Sequence, residues 1–346
     1  MTSVPGWNGE NLFTRLDEPS GAWLVIAIHS SRLGPATGGT RMKRYADREE
    51  AVRDACRLAS AMTLKFALAG LPHGGGKGVI ALPAGLDPAE RAPLLRRYGE
   101  FVGSLGIPFL TGPDVGTGPD DMDSIAETSP HRVFCRTPAR GGSGNSAPAT
   151  ALGVLTAMEV AGRRLGHASL RGARVLVQGA ASVGSLLIDH LRAEGANVSF
   201  SEVDETLIAR FRDEAGLPFV PPDLVPDADC DILAPCALGG ILNRETIPRL
   251  RCRAVVGAAN NQLEEPEDAD RLRQRGILYA PDFLVNAGGA IAITGMEELG
   301  WTREQADERV RSIGETLGRV LDLADEKRIS TDASARLLAE RRLERP

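Results

Sequence analysis

Two lysines in apolar, glycine-rich surroundings are the residues of this chain best suited to chemistry. Lys77 closes the run Leu71-Pro-His-Gly-Gly-Gly-Lys77, where three consecutive glycines strip side-chain bulk from the backbone beside an amine. Lys65 lies upstream in Met62-Thr-Leu-Lys-Phe-Ala-Leu-Ala-Gly70. An ammonium group in such company is costly unless it meets an anion or loses its proton. The pair therefore suits work on a small anionic substrate. Taken alone, G-G-G-K equally fits a tight turn before a surface lysine, so the rest of the chain has to decide.

At 346 residues the chain is long for a single core, and two domains are expected. A net charge of −6 without a basic block gives no footprint for nucleic acid. No apolar run approaches the roughly 18 residues of a membrane span, and Met1-Thr-Ser-Val-Pro-Gly-Trp-Asn lacks the blocks of a signal peptide, so a cytoplasmic location is expected. Five cysteines, none in a C-x-x-C pair, signal neither a disulfide framework nor a metal site.

The periodicity alternates between strand and helix, which predicts an α/β fold. Ala22–Ile28 reads as a buried strand, Arg48–Ala61 as a helix, Gly78–Leu82 as a strand after the lysine loop, and Pro88–Leu105 as a helix. Arg140-Gly-Gly-Ser-Gly-Asn-Ser-Ala-Pro148 has too few apolar groups to pack and reads as a linker. The expected domains are 1–143 plus a returning tail 326–346, and 144–325.

Beyond the linker, Ala173–Gln178 is a short strand running into Gly179-Ala-Ala-Ser-Val-Gly184. A helix Ser185–Glu194 and a strand Asn197–Ser201 follow, ending at Glu202. That is the setting of a dinucleotide fingerprint: glycines for the turn, pyrophosphate on the helix N-terminus, and an acid about twenty residues on for the ribose hydroxyls. One feature departs, since Ala181 stands where the second glycine of G-x-G-x-x-G would let backbone approach the pyrophosphate. Later strands Cys230–Ala234, Ala254–Ala258 and Ile277–Ala280 are followed by Pro235–Gly240, Ala259–Gln262 and Pro281–Gly289, segments read as loops lining one crevice at the strand carboxyl ends.

Together these segments resemble the glutamate/leucine/phenylalanine/valine dehydrogenase superfamily from about Leu33 to Arg342. The resemblance rests on Leu33-Gly-Pro-Ala-Thr-Gly-Gly-Thr-Arg41, Met62–Lys65, Gly74–Lys77, Thr111-Gly-Pro-Asp-Val115, Gly257-Ala-Ala-Asn-Asn261 and Pro281–Ile291, all in the family's order. It implies a substrate-binding and oligomerisation domain, a doubly wound Rossmann-type NAD-binding domain, a cleft between them, and a homodimer or larger homo-oligomer. The implied reaction is reversible oxidative deamination of an L-amino acid to the 2-oxo acid and ammonium. Lys65 is then expected to bind the substrate carboxylate with Gly38 and Asn260, while Lys77 acts as general base assisted by Asp114. A lysine that titrates near 10.4 when free serves as a base near neutrality only if burial and a neighbouring cation lower its pKa. For NAD, the implied contacts are Thr150, Gly179, Ser182, Val183, Gly184, Glu202, Cys236, Ala258 and Asn286. A carboxylate at Glu202 favours NAD over NADP, although Arg210 and Arg212 lie farther on.

The side-chain pocket implied by the resemblance comprises Thr37, Gly112, Ala290 and Ile293. The small Gly112 and Ala290 point to phenylalanine or another aromatic acid, with leucine or valine as the alternative. The Thr37 hydroxyl serves either a structural hydrogen bond or a polar group on the substrate. Two rivals remain. A hydroxy-acid dehydrogenase needs a histidine paired with a carboxylate; of the five histidines only His73 lies in a motif, and the lysine pair argues against this rival. A non-catalytic nucleotide-binding protein gains from Ala181 and loses from the joint presence of Lys65, Lys77 and Asp114.

Overall fold

Three strands precede the first helix. β1 (Asn11–Asp17), β2 (Ala22–Ser30) and β3 (Ala36–Arg44) lead into α1 (Arg48–Ala69), followed by β4 (Gly74–Leu82), α2 (Arg91–Gly103), β5 (Phe109–Pro113) and α3 (Pro119–Ala126). Their sheet has the order β1-β2-β4-β3-β5. β1 and β2 form an antiparallel hairpin, β2 is antiparallel to β4, and β3 lies parallel between β4 and β5. The computed structural model describes residues 7–237 and 239–344, which divide into two units. Unit 1 holds the described residues up to Ser146, Ile293–Trp301 and those from Ala339 on; unit 2 holds Ala147–Ala292 and Thr302–Leu338.

Several elements of unit 1 differ from the sequence expectation, each for a local reason. β3 contains Gly38 and Gly39 and carries little apolar signal, yet it is the central strand that pairs on both sides. α1 does not stop at Ala61 but runs to Ala69, because no breaker intervenes before Gly70, which caps it in the left-handed region at φ 68°. Lys65 is therefore a helical residue. The glycines before Lys77 are strand, not turn, and β4 begins at Gly74. What comes close to them is the protein itself: a Cβ on Gly75 would lie 2.1 Å from Thr63 Oγ1, and one on Gly76 would lie 2.8 Å from the Phe109 ring. Glycine here lets α1 and the core approach the sheet on either side.

The two faces of this sheet are distinct. On one, Ile26, Ile80, Leu94, Tyr98 and Phe109 form a buried apolar core. On the other, Val25, Ala27 and Val79 pack against Ala51, Ala55 and Ala59 of α1. Each large aliphatic or aromatic side chain so buried contributes about 1.5–3 kcal/mol.

Unit 2 begins with α4 (Ala147–Arg164), then β6 (Arg174–Gln178), α5 (Ser182–Ala193), β7 (Asn197–Ser201), α6 (Glu205–Ile208), β8 (Ile232–Pro235), β9 (Ala254–Val255), α7 (Asp268–Gln274), β10 (Leu278–Tyr279) and α8 (Asp282–Val285). The strands form an all-parallel sheet of order β10-β9-β8-β6-β7, the doubly wound arrangement expected from the β-α-β rhythm. The segment Pro281–Gly289, read as a loop, instead supplies α8 and the start of α9 (Gly288–Glu297). α9 starts among unit 2 residues and ends among those of unit 1, so Ile293–Trp301 joins the first unit, which the sequence did not signal. α10 (Arg303–Lys327) and α11 (Thr331–Glu344) complete the chain, with the return to unit 1 falling at Ala339. No described helix is long and apolar enough to cross a membrane.

Candidate active site

Strand alternation places the chemistry of unit 1 on the α1 face of its sheet. On β4, Val79 packs toward α1 while Ile80 faces the opposite core, so Lys77 and Gly75 share the α1 face. Lys77 is 4% exposed, and its Nζ lies 3.0 Å from Asp114 Oδ2. The same oxygen accepts from Arg41 Nε at 2.8 Å. Asp114 follows β5 and is fixed by its backbone, whose N–H donates to Thr117 Oγ1 at 2.9 Å, while the Thr117 hydroxyl donates to the Thr40 carbonyl at 2.8 Å. Lys65, on the last turns of α1, is also buried at 9% exposure.

The electrostatics of this cluster suit a base. Burial lowers the pKa of Lys77, and the Arg41 charge lowers it further; together they outweigh the opposing pull of Asp114. Burial alone would raise the Asp114 carboxyl, but the Lys77 and Arg41 charges hold it well below the usual carboxylate range. An amine with a depressed pKa beside a fixed carboxylate can take a proton from water and pass it on.

Thr37 and Gly112, expected at the side-chain pocket, lie on neighbouring strands, β3 and β5. The Thr37 hydroxyl donates to the Pro35 carbonyl at 3.1 Å and lies 2.8 Å from His73 Nδ1. Of the two uses left open for it, the structure contains the structural hydrogen bond. His73 is fully buried, packs beside Phe66 and Phe134, and has Glu298 Oε2 2.8 Å from its Nε2, off the line of the N–H bond. Burial lowers its pKa, against the raising effect of Glu298. A Cβ on Gly112 would make ordinary contact with Phe134 Cβ at 3.7 Å and Cys135 Sγ at 3.9 Å. On α9, Ala290 and Ile293 are three residues apart, neighbours on the helix surface, with Ala290 in unit 2 and Ile293 in unit 1.

Unit 2 assembles the second set of residues at the carboxyl ends of its strands. Gly179 follows β6 at φ +94°, a conformation that favours glycine. α5 starts at Ser182, not Ser185, so Ser182, Val183 and Gly184 form its first turn, where backbone N–H groups are unpaired and attract anions. Ala181 is the N-cap and is exposed. Glu202, just past β7, accepts from Ala180 N at 2.7 Å, Val203 N at 2.7 Å and Asp204 N at 3.2 Å, which fixes its carboxylate beside the turn. Cys236 lies past β8 with its thiol pushed up to about 12 by burial, which makes it an inert wall. Ala258 and Asn260 follow β9, and Thr150 lies in the first turns of α4.

Asn286, between α8 and α9, donates to the Ala258 carbonyl at 3.1 Å and to Asn260 Oδ1 at 2.8 Å. Its own Oδ1 is buried with no partner among the described residues. A buried acceptor left open in this way fits a ligand that donates a hydrogen bond, as a carboxamide N–H or a ribose hydroxyl does. Together with the turn and Glu202, the donor set fits a nicotinamide dinucleotide.

Sequence reasoning gave no role to Arg41 or Asp54, and weighed His73 only for the rival hydroxy-acid reading. A charged residue among the glycines of Gly38-Gly-Thr-Arg41 was the available signal for the first, since a buried guanidinium requires acids.

Residues 22–131 match the model of the Glu/Leu/Phe/Val dehydrogenase dimerisation domain. Residues 141–209 and 199–345 match that of the glutamate/leucine/phenylalanine/valine dehydrogenases. A leucine dehydrogenase of Thermoactinomyces intermedius is 43% identical over 97% of this chain and 91% of its own length. A valine dehydrogenase of Streptomyces albus is 42% identical over 94% of this chain and 90% of its own. The crystal structure of L-tryptophan dehydrogenase from Nostoc punctiforme superposes with a TM-score of 0.80 at 38% identity, covering 99% of this chain and 97% of that one. These relatives move the substrate expectation away from phenylalanine and toward its branched-chain alternative.

Proposed function

Because the chain belongs to the glutamate/leucine/phenylalanine/valine dehydrogenase family and is an amino acid dehydrogenase, we propose that it oxidatively deaminates a branched-chain L-amino acid with NAD. The observation that carries this reading is the buried Lys77 amine, 3.0 Å from Asp114 and beside Arg41. The first turn of α5, Glu202 and Asn286 would hold NAD, which would supply the hydride acceptor for the substrate α-carbon. The chain's own residues do the rest. Lys65 holds the substrate carboxylate, and Gly38 of β3 offers a further backbone donor to it. Neutral Lys77 takes a proton from the water that attacks the imine carbon and returns a proton to the departing nitrogen, so that 2-oxo acid and ammonium leave. Asp114 keeps the amine oriented and stabilises it while protonated.

The leucine and valine dehydrogenase relatives, 43% and 42% identical, support a branched-chain substrate over an aromatic one, and the Thr37 hydroxyl is already engaged by Pro35 and His73 rather than open to a polar substrate group. The tryptophan dehydrogenase relative is the observation that favours a larger side chain as the second reading. For the cofactor, a fixed Glu202 carboxylate accepts ribose hydroxyls and repels a 2′-phosphate. Arg212 is committed to Asp213, and Arg210 lies over the Phe211 ring, which leaves neither as evident support for NADP. The dimerisation-domain match supports self-association through unit 1.

The test is formation of NADH or NADPH at alkaline pH with leucine, valine, isoleucine, phenylalanine, tyrosine, tryptophan and glutamate. We expect leucine or valine with NAD to give the highest kcat/KM. A tenfold preference for tryptophan or phenylalanine would reject the branched-chain reading, and a preference for NADP would reject the role given to Glu202. In the same assay Lys65→Ala is expected to raise KM at least about 30-fold, the cost of losing a charged partner of a buried carboxylate. An unchanged KM would remove Lys65 from the substrate site.

A further inference from the structure

We propose that Arg41 is a positioning residue for the reaction: it holds the Asp114 carboxylate between its own guanidinium and Lys77 and keeps a fixed positive charge beside the amine. The proposal rests on the reading of Lys77 as the base. Arg41 lies on β3, on the α1 face of the sheet, with its side chain 11% exposed. Its Nε donates to Asp114 Oδ2 at 2.8 Å and its Nη1 to Asp54 Oδ2 at 3.0 Å, so one guanidinium bridges β3 to the loop after β5 and to α1. Both acids are as buried as the arginine, at 10% and 13% exposure. Asp54 is itself braced, by Tyr45 OH at 2.8 Å and by Arg57 at 3.2 Å. The planar fork of arginine reaches two carboxylates in fixed directions, which a lysine cannot do.

The charge count explains why such a bridge belongs here. Arg41 and Arg57 together balance Asp54 and Asp114, so this cluster is neutral when Lys77 carries no proton and gains an unbalanced charge when it does. Asp54 on α1 acts on Lys77 against the Arg41 charge, Tyr45 in the loop before α1 bonds Asp54, and Lys65 is the other buried lysine of α1. Ala27 of β2 pairs in register with Lys77, and the titratable side chain on that face of β2 is His29, turned to Thr63 at 2.8 Å. Arg41 is thus the fixed cation in direct contact with the carboxylate that Lys77 uses.

The test is the pH profile of kcat/KM for oxidative deamination in the wild type, Lys77→Ala, Arg41→Gln, Arg41→Lys and Asp54→Asn. The acid limb of the wild type should report deprotonation of Lys77 and disappear with Lys77→Ala. In Arg41→Gln that limb should move up by about one pH unit, with kcat lowered at pH 8 and partly recovered at higher pH. Arg41→Lys should keep the limb in place while kcat falls about tenfold, because charge is retained and geometry is lost. A folded Arg41→Gln with an unmoved limb, or an equal movement in Arg41→Lys, overturns the proposal. Should Arg41→Gln fail to fold, Asp54→Asn decides: removing that acid leaves the Arg41 charge less compensated, so the limb should move to lower pH, and a limb that stays or rises overturns the proposal. A wild-type limb that survives in whatever activity Lys77→Ala retains overturns the lysine-base reading and this inference with it, before any Arg41 variant is made.

Discussion

Lys77→Ala is expected to lower kcat for oxidative deamination by at least about 10³-fold while leaving NAD binding within twofold of the wild type. The loss is large because Lys77 is the amine held on Asp114, whereas the Arg41 guanidinium on the same carboxylate does not titrate. The fold should survive the change. Asp114 keeps its Arg41 partner, so no carboxylate is left buried and unpaired, and the stability cost should stay below the roughly 3–5 kcal/mol of a broken buried pair. The sign of the pH dependence follows from the same contacts. Burial and Arg41 depress the Lys77 pKa, so the neutral amine becomes available below the pH at which a free lysine would lose its proton. Wild-type kcat/KM should therefore rise with pH through that depressed value and level off above it. The measurement is steady-state kinetics from pH 7 to 11 alongside calorimetric titration with NAD. Near-normal turnover in the variant would end the lysine-base mechanism.

That prediction could be written from the sequence, since Lys77 and Asp114 sit in recognisable motifs, but its energetics could not. Arg41 belongs to the same motif as Gly38, yet its partner Asp54 lies on α1, and only the folded sheet places the two acids on either side of one guanidinium. The parallel sheet of unit 2 was legible because its central strands β6 and β8 are short, largely buried apolar runs, and the edge strand β7 falls at Asn197–Ser201 as expected. β3 was not, because its glycines erase the apolar pattern that marks a strand, and its pairing comes from neighbours distant in sequence. The glycine run beside Lys77 is bare for a reason the sequence hides: Thr63 and Phe109 press against Gly75 and Gly76. The neighbours of Gly112 are hidden from the sequence for a related reason: Phe134 and Cys135, which a Cβ there would touch, lie more than twenty residues away in the chain.

Gly184→Ala should abolish measurable NAD binding and destabilise unit 2 by about 2 kcal/mol or more, whereas Ala181→Gly should bind NAD at least as tightly as the wild type. The two substitutions each change one methyl group in the same turn, and their surroundings set them apart. A Cβ on Gly184 would lie 1.9 Å from the Gly179 carbonyl oxygen and 3.5 Å from Cys236 Cβ. That carbonyl cannot retreat easily. Gly179 is held at φ +94°, its N–H donates to the Ser201 carbonyl at 2.8 Å, and a Cβ of its own would lie 2.7 Å from Ala237 Cβ. The strain must instead push the first turn of α5 away from β6, carrying with it the backbone amides of Ser182 and Val183 that are to receive the pyrophosphate. Glu202 would lose its register with the Ala180 amide in the same movement. Ala181, by contrast, is an exposed N-cap, so removing its methyl relieves only the approach of the pyrophosphate at a small entropic cost. Calorimetric titration with NAD and thermal melts of both variants make the comparison. If Gly184→Ala binds NAD within tenfold of the wild type, the pyrophosphate does not rest on this turn, and the cofactor role of Ser182 and Val183 has to be given up with it.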